Sequence, residues 1–374
     1  MEQHSKTGTE TKITDEMIEE LLKLKGIEYP ARRQFNEAAT KDAIRHWADS
    51  IGDRNPLWRD EEYARKTCYG HIIAPPTWLF STTMMAGRMG MPGIHGMHSG
   101  TDWHFHKPVH IDDRITVSGG IHEIHEKKRS HFAGRTFWQI SRQVYRNQNN
   151  EIVAELFTHV IRHERDTARE KGKYEGITKH VYSDEELEEI WADIEREEIR
   201  GAIPRYWEDV NIGDDLTPVV KGPLTVSDIV AFKIGWGNEP FMWANEIRYD
   251  FIKRHPGAPV RNRCNVPDVP ESVHYDDDMA IRVGVPGFYD YGPQRISWLG
   301  HLVTNWMGDD GWLKQLDVQN RRHNIEGDTQ WCRGKVIDKF IEDKECLVKC
   351  SISCENQRDE ITARGMAIVS LPSQ

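Results

Sequence analysis

Tyr289-Asp290-Tyr291-Gly292-Pro293-Gln294-Arg295-Ile296-Ser297-Trp298-Leu299-Gly300-His301-Leu302-Val303-Thr304-Asn305-Trp306-Met307 carries Ile296, Leu299, Gly300, Val303 and Met307 three or four positions apart. That spacing is one face of a helix. It predicts a long apolar helix over 293–307, whose first backbone N–H groups have no partner within it. His274 stands eighteen residues ahead of Gly292 (292 − 274). A helix N-terminus can hold a developing negative charge on oxygen. A histidine ahead of it can move a proton. The rest of the chain reads as the scaffold for this pair.

The chain has 374 residues, enough for two domains and a sizeable core. Its formal net charge of −11 argues against a nucleic-acid surface, so an anionic ligand needs a local cluster of Arg or Lys. No apolar run approaches a membrane span. The first dozen residues are polar and show no secretory h-region, so the expected location is cytoplasmic. Cys346, Cys350 and Cys354 recur at every fourth position, but the stretch alternates as a strand with Val348 and Ile352 on the cysteine face. Neighbouring thiols would then lie about 13 Å apart, too far to chelate one ion. The reading expects buried thiols and no metal.

Taken in order, residues 1–12 read as a disordered tail and 15–24 as an amphipathic helix. Thr40 caps a helix with Ala43, Ile44 and Trp47 on one face. Gly52 to Asp60 is a turn-rich loop, and 77–86 looks like a buried helix. Strands follow at 103–109, 114–125, 131–145 and 151–163, an α+β pattern. Ser183-Asp184-Glu185-Glu186 is a capping box ahead of Leu187, Ile190, Trp191 and Ile194. Residues 164–205 thus connect an N-terminal domain, 1–163, to a C-terminal one, 206–374.

The second domain repeats the first. Thr225 caps a helix as Thr40 does, at an offset of 185 (225 − 40). Asp276 matches Asp60 and Ala280 matches Ala64 at an offset of 216, while Asp328 matches Asp113 and Gly334 matches Gly119 at 215. The jump of 31 (216 − 185) places an insertion between about 241 and 271, rich in Pro and Arg, read as a long loop at the site. Strands are expected at 314–325, 329–341, 345–355 and 360–370.

Asp53-Arg54-Asn55-Pro56-Leu57-Trp58-Arg59-Asp60, with Ala64 and Ile72-Ile73-Ala74 beyond it, resembles the hydratase motif of the MaoC-like (R)-specific enoyl-CoA hydratases and acyl dehydratases. The family pattern is Asp-x-Asn-Pro-x-His-x-Asp, with a His-Gly pair some eighteen residues past the histidine. The resemblance extends over both halves. It implies two tandem hot-dog domains in one chain, the first FAS1-like, each with a long central helix wrapped by a curved antiparallel sheet.

The halves depart from the pattern differently. Half one keeps Asp53 and Asn55, but Trp58 holds the histidine position and Pro76 that of the oxyanion glycine (58 + 18). Proline has no N–H to donate. Half two has His274 and Gly292 at the family spacing. Val269 stands where the family has its acid, so Asp268 is the first choice of carboxylate, with Glu271 and then Asp53 as alternatives. Asp60 and Asp276 read as loop-fixing caps.

The resemblance implies reversible hydration of an enoyl-CoA thioester, with His274 and the carboxylate activating water and the Gly292 N–H holding the enolate oxygen. Tyr291, Arg295, Trp58 and Asn55 are the expected substrate contacts, and Arg321, Arg322 and Lys335 candidates for the CoA phosphates. Coenzyme A enters as part of the substrate, and no other cofactor is expected. A degenerate half one suits a bulky or branched acyl chain. The alternatives are a hot-dog thioesterase and a non-catalytic acyl-binding subunit of a heteromeric hydratase. The sequence leaves a homodimer open.

Overall fold

The computed structural model describes residues 12–91, 94–130, 134–164, 177–237 and 244–374. The expected N-terminal tail therefore lies almost wholly outside the described residues. Half one contains α1 (Asp15–Lys23), β1 (Tyr29–Pro30), α2 (Lys41–Ser50), α3 (Glu61–Ala64), β2 (His95–Phe105), β3 (Thr116–Ser130), β4 (Gly134–Arg146) and β5 (Ile152–His163). The connection carries α4 (Asp184–Glu195), opened by the expected Ser183–Glu186 capping box. Half two contains β6 (Asp215–Lys221), α5 (Val226–Trp236), α6 (Asn245–Arg254), β7 (Val260–Arg261), β8 (Pro267–Asp268), α7 (Asp277–Arg282), α8 (Gly292–Met307), β9 (Trp312–Asn320), β10 (Gln330–Glu342), β11 (Glu345–Asn356) and β12 (Ile361–Ser370). Among the described residues no helix is long and apolar enough to cross a membrane.

Ten strands form one antiparallel sheet in the order β1-β3-β4-β5-β2-β9-β12-β11-β10-β6. The order is a palindrome of the two halves, joined where β2 pairs with β9. Asp102 faces Asp317 at that seam, and Gly100↔Gln319 mirrors His104↔Gln315. All three relations carry the sequence offset of 215 (317 − 102, 315 − 100, 319 − 104), so a pseudo-twofold axis passes through the Asp102–Asp317 pair. Local chemistry repeats with it. Asp60 caps α3 and Asp276 caps α7. Asp113 accepts from His110 N at 2.8 Å and Asp328 from Ile325 N at 3.2 Å. The two threonine-capped helices, α2 and α5, pack on each other through Trp47 and Phe232, ring centroids 5.6 Å apart.

Helix α8 fills the sheet's concave side, and every residue from Gln294 to Met307 is buried. The other central helix differs from expectation. Residues 77–86 form only a short 3-10 turn, Pro76–Ser81. The carbonyls of Ser81 and Thr82, which would continue a helix, instead accept the N–H groups of Asn36 and Phe35. Thr82 Oγ1 also bonds back to Leu79 O, the local competition that disfavours helix. Gly300 lets this turn approach α8, since a Cβ there would stand 2.7 Å from Thr77 Cγ2.

Other boundaries move as well. The strand expected at 103–109 begins at His95 and ends at Phe105. The strand expected at 314–325 stops at Asn320, because Arg321 and Arg322 both turn their N–H groups onto Thr362 O. The described part of the insertion is a helix, α6, and the β7–β8 ribbon rather than a loop. On β11, Val348, Cys350, Ile352 and Cys354 share the buried face, with Cys346 at its rim. Burial pushes the Cys350 thiol up to about 12.

Trp103, on β2 just beyond the seam centre, is fully buried, stacked on Phe105 (5.3 Å, 10°) and edge-on to Phe80 (5.0 Å, 86°). Trp103→Ala should therefore cost about 3–5 kcal/mol, the scale for deleting a buried large aromatic. Urea unfolding checks this, and a loss under about 1 kcal/mol would mean that the seam is not the core of half one.

Candidate active site

The approach to α8 is a short 3-10 helix, Pro270–His274. Residues three apart eclipse one another in that geometry, so Glu271 and His274 share a face. His274 Nδ1 lies 2.8 Å from Tyr289 O. A carbonyl only accepts, so Nδ1 carries the proton of the neutral ring and Nε2 is left as the acceptor. The ring stacks on Tyr291, with centroids 3.9 Å apart at 28°. Burial holds the His274 pKa below its ordinary value, against the upward pull of Glu271, so the ring is neutral at pH 7.

Glu271 accepts a 2.9 Å bond from Lys233 Nζ, a buried pair. Burial opposes ionisation of Glu271, but the charges of His274 and Lys233 and the bonds from Lys233 and Tyr291 outweigh it and lower its pKa. Lys233 comes from α5 and also lies 4.6 Å from the Tyr291 ring centroid. The sequence offered one signal for it, a lone basic residue inside an otherwise apolar helix.

Asp268 is placed differently. It sits on β8, its Oδ1 accepting from Val269 N at 2.8 Å and lying 3.9 Å from Arg248. The structure thus puts Glu271, not Asp268, on the face of His274.

Gly292 is the first residue of α8, where a backbone N–H has no intrahelical partner. Its α-carbon faces two side chains that sequence reading missed. A Cβ at Gly292 would stand 2.5 Å from His98 Nδ1 and 2.7 Å from Asn320 Nδ2. Glycine is required here by close approach. His98 comes from β2 of half one and Asn320 from the end of β9. Burial pushes the His98 pKa down to about 4, so that ring too is neutral at pH 7.

Four expected substrate contacts come out differently. Tyr291 is at the site, stacked on His274. Arg295 is buried and occupied: it bonds both Asp290 oxygens at 2.8 and 2.9 Å and donates to Arg322 O and Thr362 O. Burial raises Asp290 to about 6 even against that arginine. Trp58 is core, its Nε1 donating to Asp53 Oδ2 at 2.9 Å. Asn55 is buried, accepting from Leu57 N and donating to Asp309. These three fix structure and have no surface to offer a ligand. Of the phosphate candidates, Lys335 is exposed beside buried Val336 on β10, so it points to the outer sheet face, where it pairs with Asp215. Arg322 pairs with Glu360, and Arg321 is exposed just past Asn320.

The matching place in half one is closed. A narrow cleft lined by Asp53, Pro76, Thr77, His301 and Leu313 has no room for a water-sized sphere. Asp53 is consumed by Asn55 N and Trp58. His301, from α8, lies 3.0 Å from Glu197 and 3.7 Å from Asp53. Burial opposes ionisation of Glu197, but the bond and charge of His301, with Lys221 and Asn305, hold its pKa at about 2.

A family model described as the FAS1-like dehydratase domain region matches residues 24–156. The chain is 31% identical over 106 residues to a UPF0336 protein of Streptomyces avermitilis, covering 26% of this chain and 69% of that protein. It is 28% identical over 141 residues to a Thermomonospora curvata protein named "Probable enoyl-CoA hydratase alpha subunit", covering 33% of this chain and 44% of that one. A solved MaoC-like dehydratase superposes on 95% of this chain and 100% of its own at a TM-score of 0.63, with 15% identity.

Removing one partner of a buried ion pair strands the other, at about 3–5 kcal/mol. Arg295→Met should accordingly lower stability by that amount in chemical denaturation. A variant of unchanged stability with a raised KM for a CoA ester would instead return Arg295 to the substrate.

Proposed function

The chain belongs to the MaoC-like dehydratase family, built as a double hot-dog, and on that premise we propose that it reversibly hydrates an enoyl-CoA thioester at one site, in half two. The observation that carries the reading is His274: neutral, anchored through Nδ1–H to Tyr289 O, and sharing a face with ionised Glu271 just ahead of the α8 N-terminus.

In the hydration direction, His274 Nε2 takes a proton from water while Glu271 holds that water as an acceptor. The water oxygen bonds to Cβ and the C=C electron pair shifts, placing negative charge on the thioester oxygen. The Gly292 N–H and the α8 dipole stabilise that charge. The enolate then takes a proton at Cα from the same pair of groups. Dehydration runs the steps in reverse. Coenzyme A enters as part of the substrate, and the steps call for no metal or redox group.

We further propose a bulky acyl chain. Its support is that the central helix of half one stops at Ser81, leaving α8 as the long helix inside the sheet. Trans-2-enoyl-CoA esters of increasing bulk, read by mass spectrometry and a free-thiol assay, test both proposals. A mass gain of one water without free thiol is expected, fastest with the branched or cyclic esters. Free thiol would mean a thioesterase, and tight binding without turnover a non-catalytic subunit.

His274→Ala should lower kcat by about two orders of magnitude or more, with KM little changed. Normal turnover by a folded variant would remove half two as the active site. Glu271→Gln should lose most activity, while Asp268→Asn should stay within about threefold of wild type. The opposite order would transfer the role to Asp268.

The pH profile has a definite sign. His274 must be unprotonated to act, and its pKa is lowered by burial, so kcat/KM should hold through the ordinary histidine range of about 6.5 and fall only below it. Glu271 pulls that pKa up, so in Glu271→Gln the acid limb of the residual activity should move lower still. A limb above the ordinary histidine value would contradict this assignment.

A further inference from the structure

We propose that Asn320 is a catalytic residue, its side-chain amide supplying a second hydrogen bond, beside the Gly292 N–H, to the thioester oxygen. This rests on the hydratase reading above and deepens it.

Three observations carry the proposal. First, both Nδ2 and Oδ1 of Asn320 are shielded from solvent, and among the described residues neither finds a hydrogen-bond partner. A buried carboxamide left unpaired on both sides is costly, and such groups are rare in folded proteins. A substrate oxygen would supply the missing acceptor. Second, the amide is in the right place, since a Cβ at Gly292 would stand 2.7 Å from Asn320 Nδ2. The Asn320 amide therefore lies directly against the first residue of α8, the residue whose N–H has no intrahelical partner.

Third, the pseudo-twofold supplies an internal control. The offset of 215 carries Asn320 onto Phe105 and His98 onto Leu313, while the motif offset of 216 carries Gly292 onto Pro76. The corner around Gly292 thus has a backbone N–H, an amide and an imidazole. The corner around Pro76 has a proline, a phenylalanine and a leucine, and both Pro76 and Leu313 line the closed cleft. All three polar groups are absent where the histidine has become Trp58. Joint replacement is what one oxyanion corner would show, whereas packing alone does not tie Asn320 to Gly292.

Position follows from the sheet. Asn320 is the last residue of β9, beyond the Gly100↔Gln319 pair. Opposite it, on the other edge of β2, the pairing with β5 shifts register between His98 and Gly100. Bulges of this kind re-aim side chains next to active sites. His98 lies beside this bulge and reaches the same corner, where burial keeps it neutral. At this corner the thioester oxygen would meet the Gly292 N–H and the Asn320 amide beside a neutral ring.

The test uses the full chain. Turnover is measured on the fastest ester of the bulk panel. Carbonyl polarisation is read from the absorption band of bound 2,4-hexadienoyl-CoA, which moves to longer wavelength as its thioester oxygen accepts hydrogen bonds. Asn320→Leu should lower kcat by about 10²–10³-fold, the scale for one oxyanion donor, with KM changed much less. It should also lose most of the wavelength shift. Asn320→Asp, isosteric but negative, should lose more activity than Leu. Asn320→Ser replaces both if thermal melting shows either to be misfolded, and should retain part of the shift.

His274→Ala separates the two readings, since it should lose turnover and keep the shift. A folded Asn320→Leu with near-normal kcat and an intact shift, beside a dead His274→Ala, would overturn the role of Asn320 and leave the hydratase reading standing. Wild-type protein that neither hydrates any ester nor shifts the probe would overturn both.

Discussion

The antiparallel pairing of β2 with β9 is the constraint on which the rest depends. It joins two half-barrels into one ten-stranded sheet and fixes the pseudo-twofold at Asp102–Asp317. A one-residue slip there would exchange inward and outward side chains along both strands. It would also move His98, which belongs to the other half of the chain, away from Gly292. The corner around Gly292 is therefore completed by a side chain of half one, although half one's own motif is degenerate. A half-two fragment alone would lack the β2 edge that carries His98.

The two halves use the same motif positions differently. In half one the motif carboxylate and amide survive as Asp53 and Asn55, but each is bound to a neighbour: Asp53 to Trp58 and the Asn55 N–H, Asn55 to Leu57 N and Asp309. Their polar capacity now holds the loop to α8's far end. Satisfied buried polar groups stabilise; unsatisfied ones cost free energy unless a ligand completes them. The halves share a backbone plan and divide these two roles between them.

How much was legible in the sequence follows from the range of each interaction. The helix caps Thr40, Asp60, Ser183, Thr225 and Asp276 depend on three or four consecutive residues, and all form as expected. The internal repeat was legible for the same reason, as spacing. Burial was not. Arg295 reads as a free cation beside a helix start, and only the fold shows Asp290 and two carbonyls consuming it. The helix expected over 77–86 has adequate local pattern, but an irregular segment forty-odd residues earlier, Phe35–Asn36, captures its carbonyls. Counting back from His274 through an insertion favoured Asp268. The 3-10 geometry of Pro270–His274 instead puts the residue three before His274 on its face. Lys233, His98 and Asn320 arrive across the fold, with no spacing to betray them.

Lys233 gives the site its electrostatic balance. Near Glu271 it favours the carboxylate, and near His274 it disfavours the imidazolium, since the same positive charge lowers both pKa values. Glu271 acts in the opposite sense on His274, pulling its pKa up. Burial alone would neutralise both groups, giving a carboxylic acid that cannot accept a proton and a histidine that can. Against burial, His274, Lys233 and the Tyr291 bond together lower the Glu271 pKa, while burial keeps His274 neutral, so the pair is a carboxylate and a neutral imidazole, two acceptors on one face. In the proposed hydration, water held between the two acceptors would give up a proton to one while the other fixes its orientation. The lysine thus favours the ionised carboxylate and the neutral ring from one position, beside the Tyr291 ring at the start of α8.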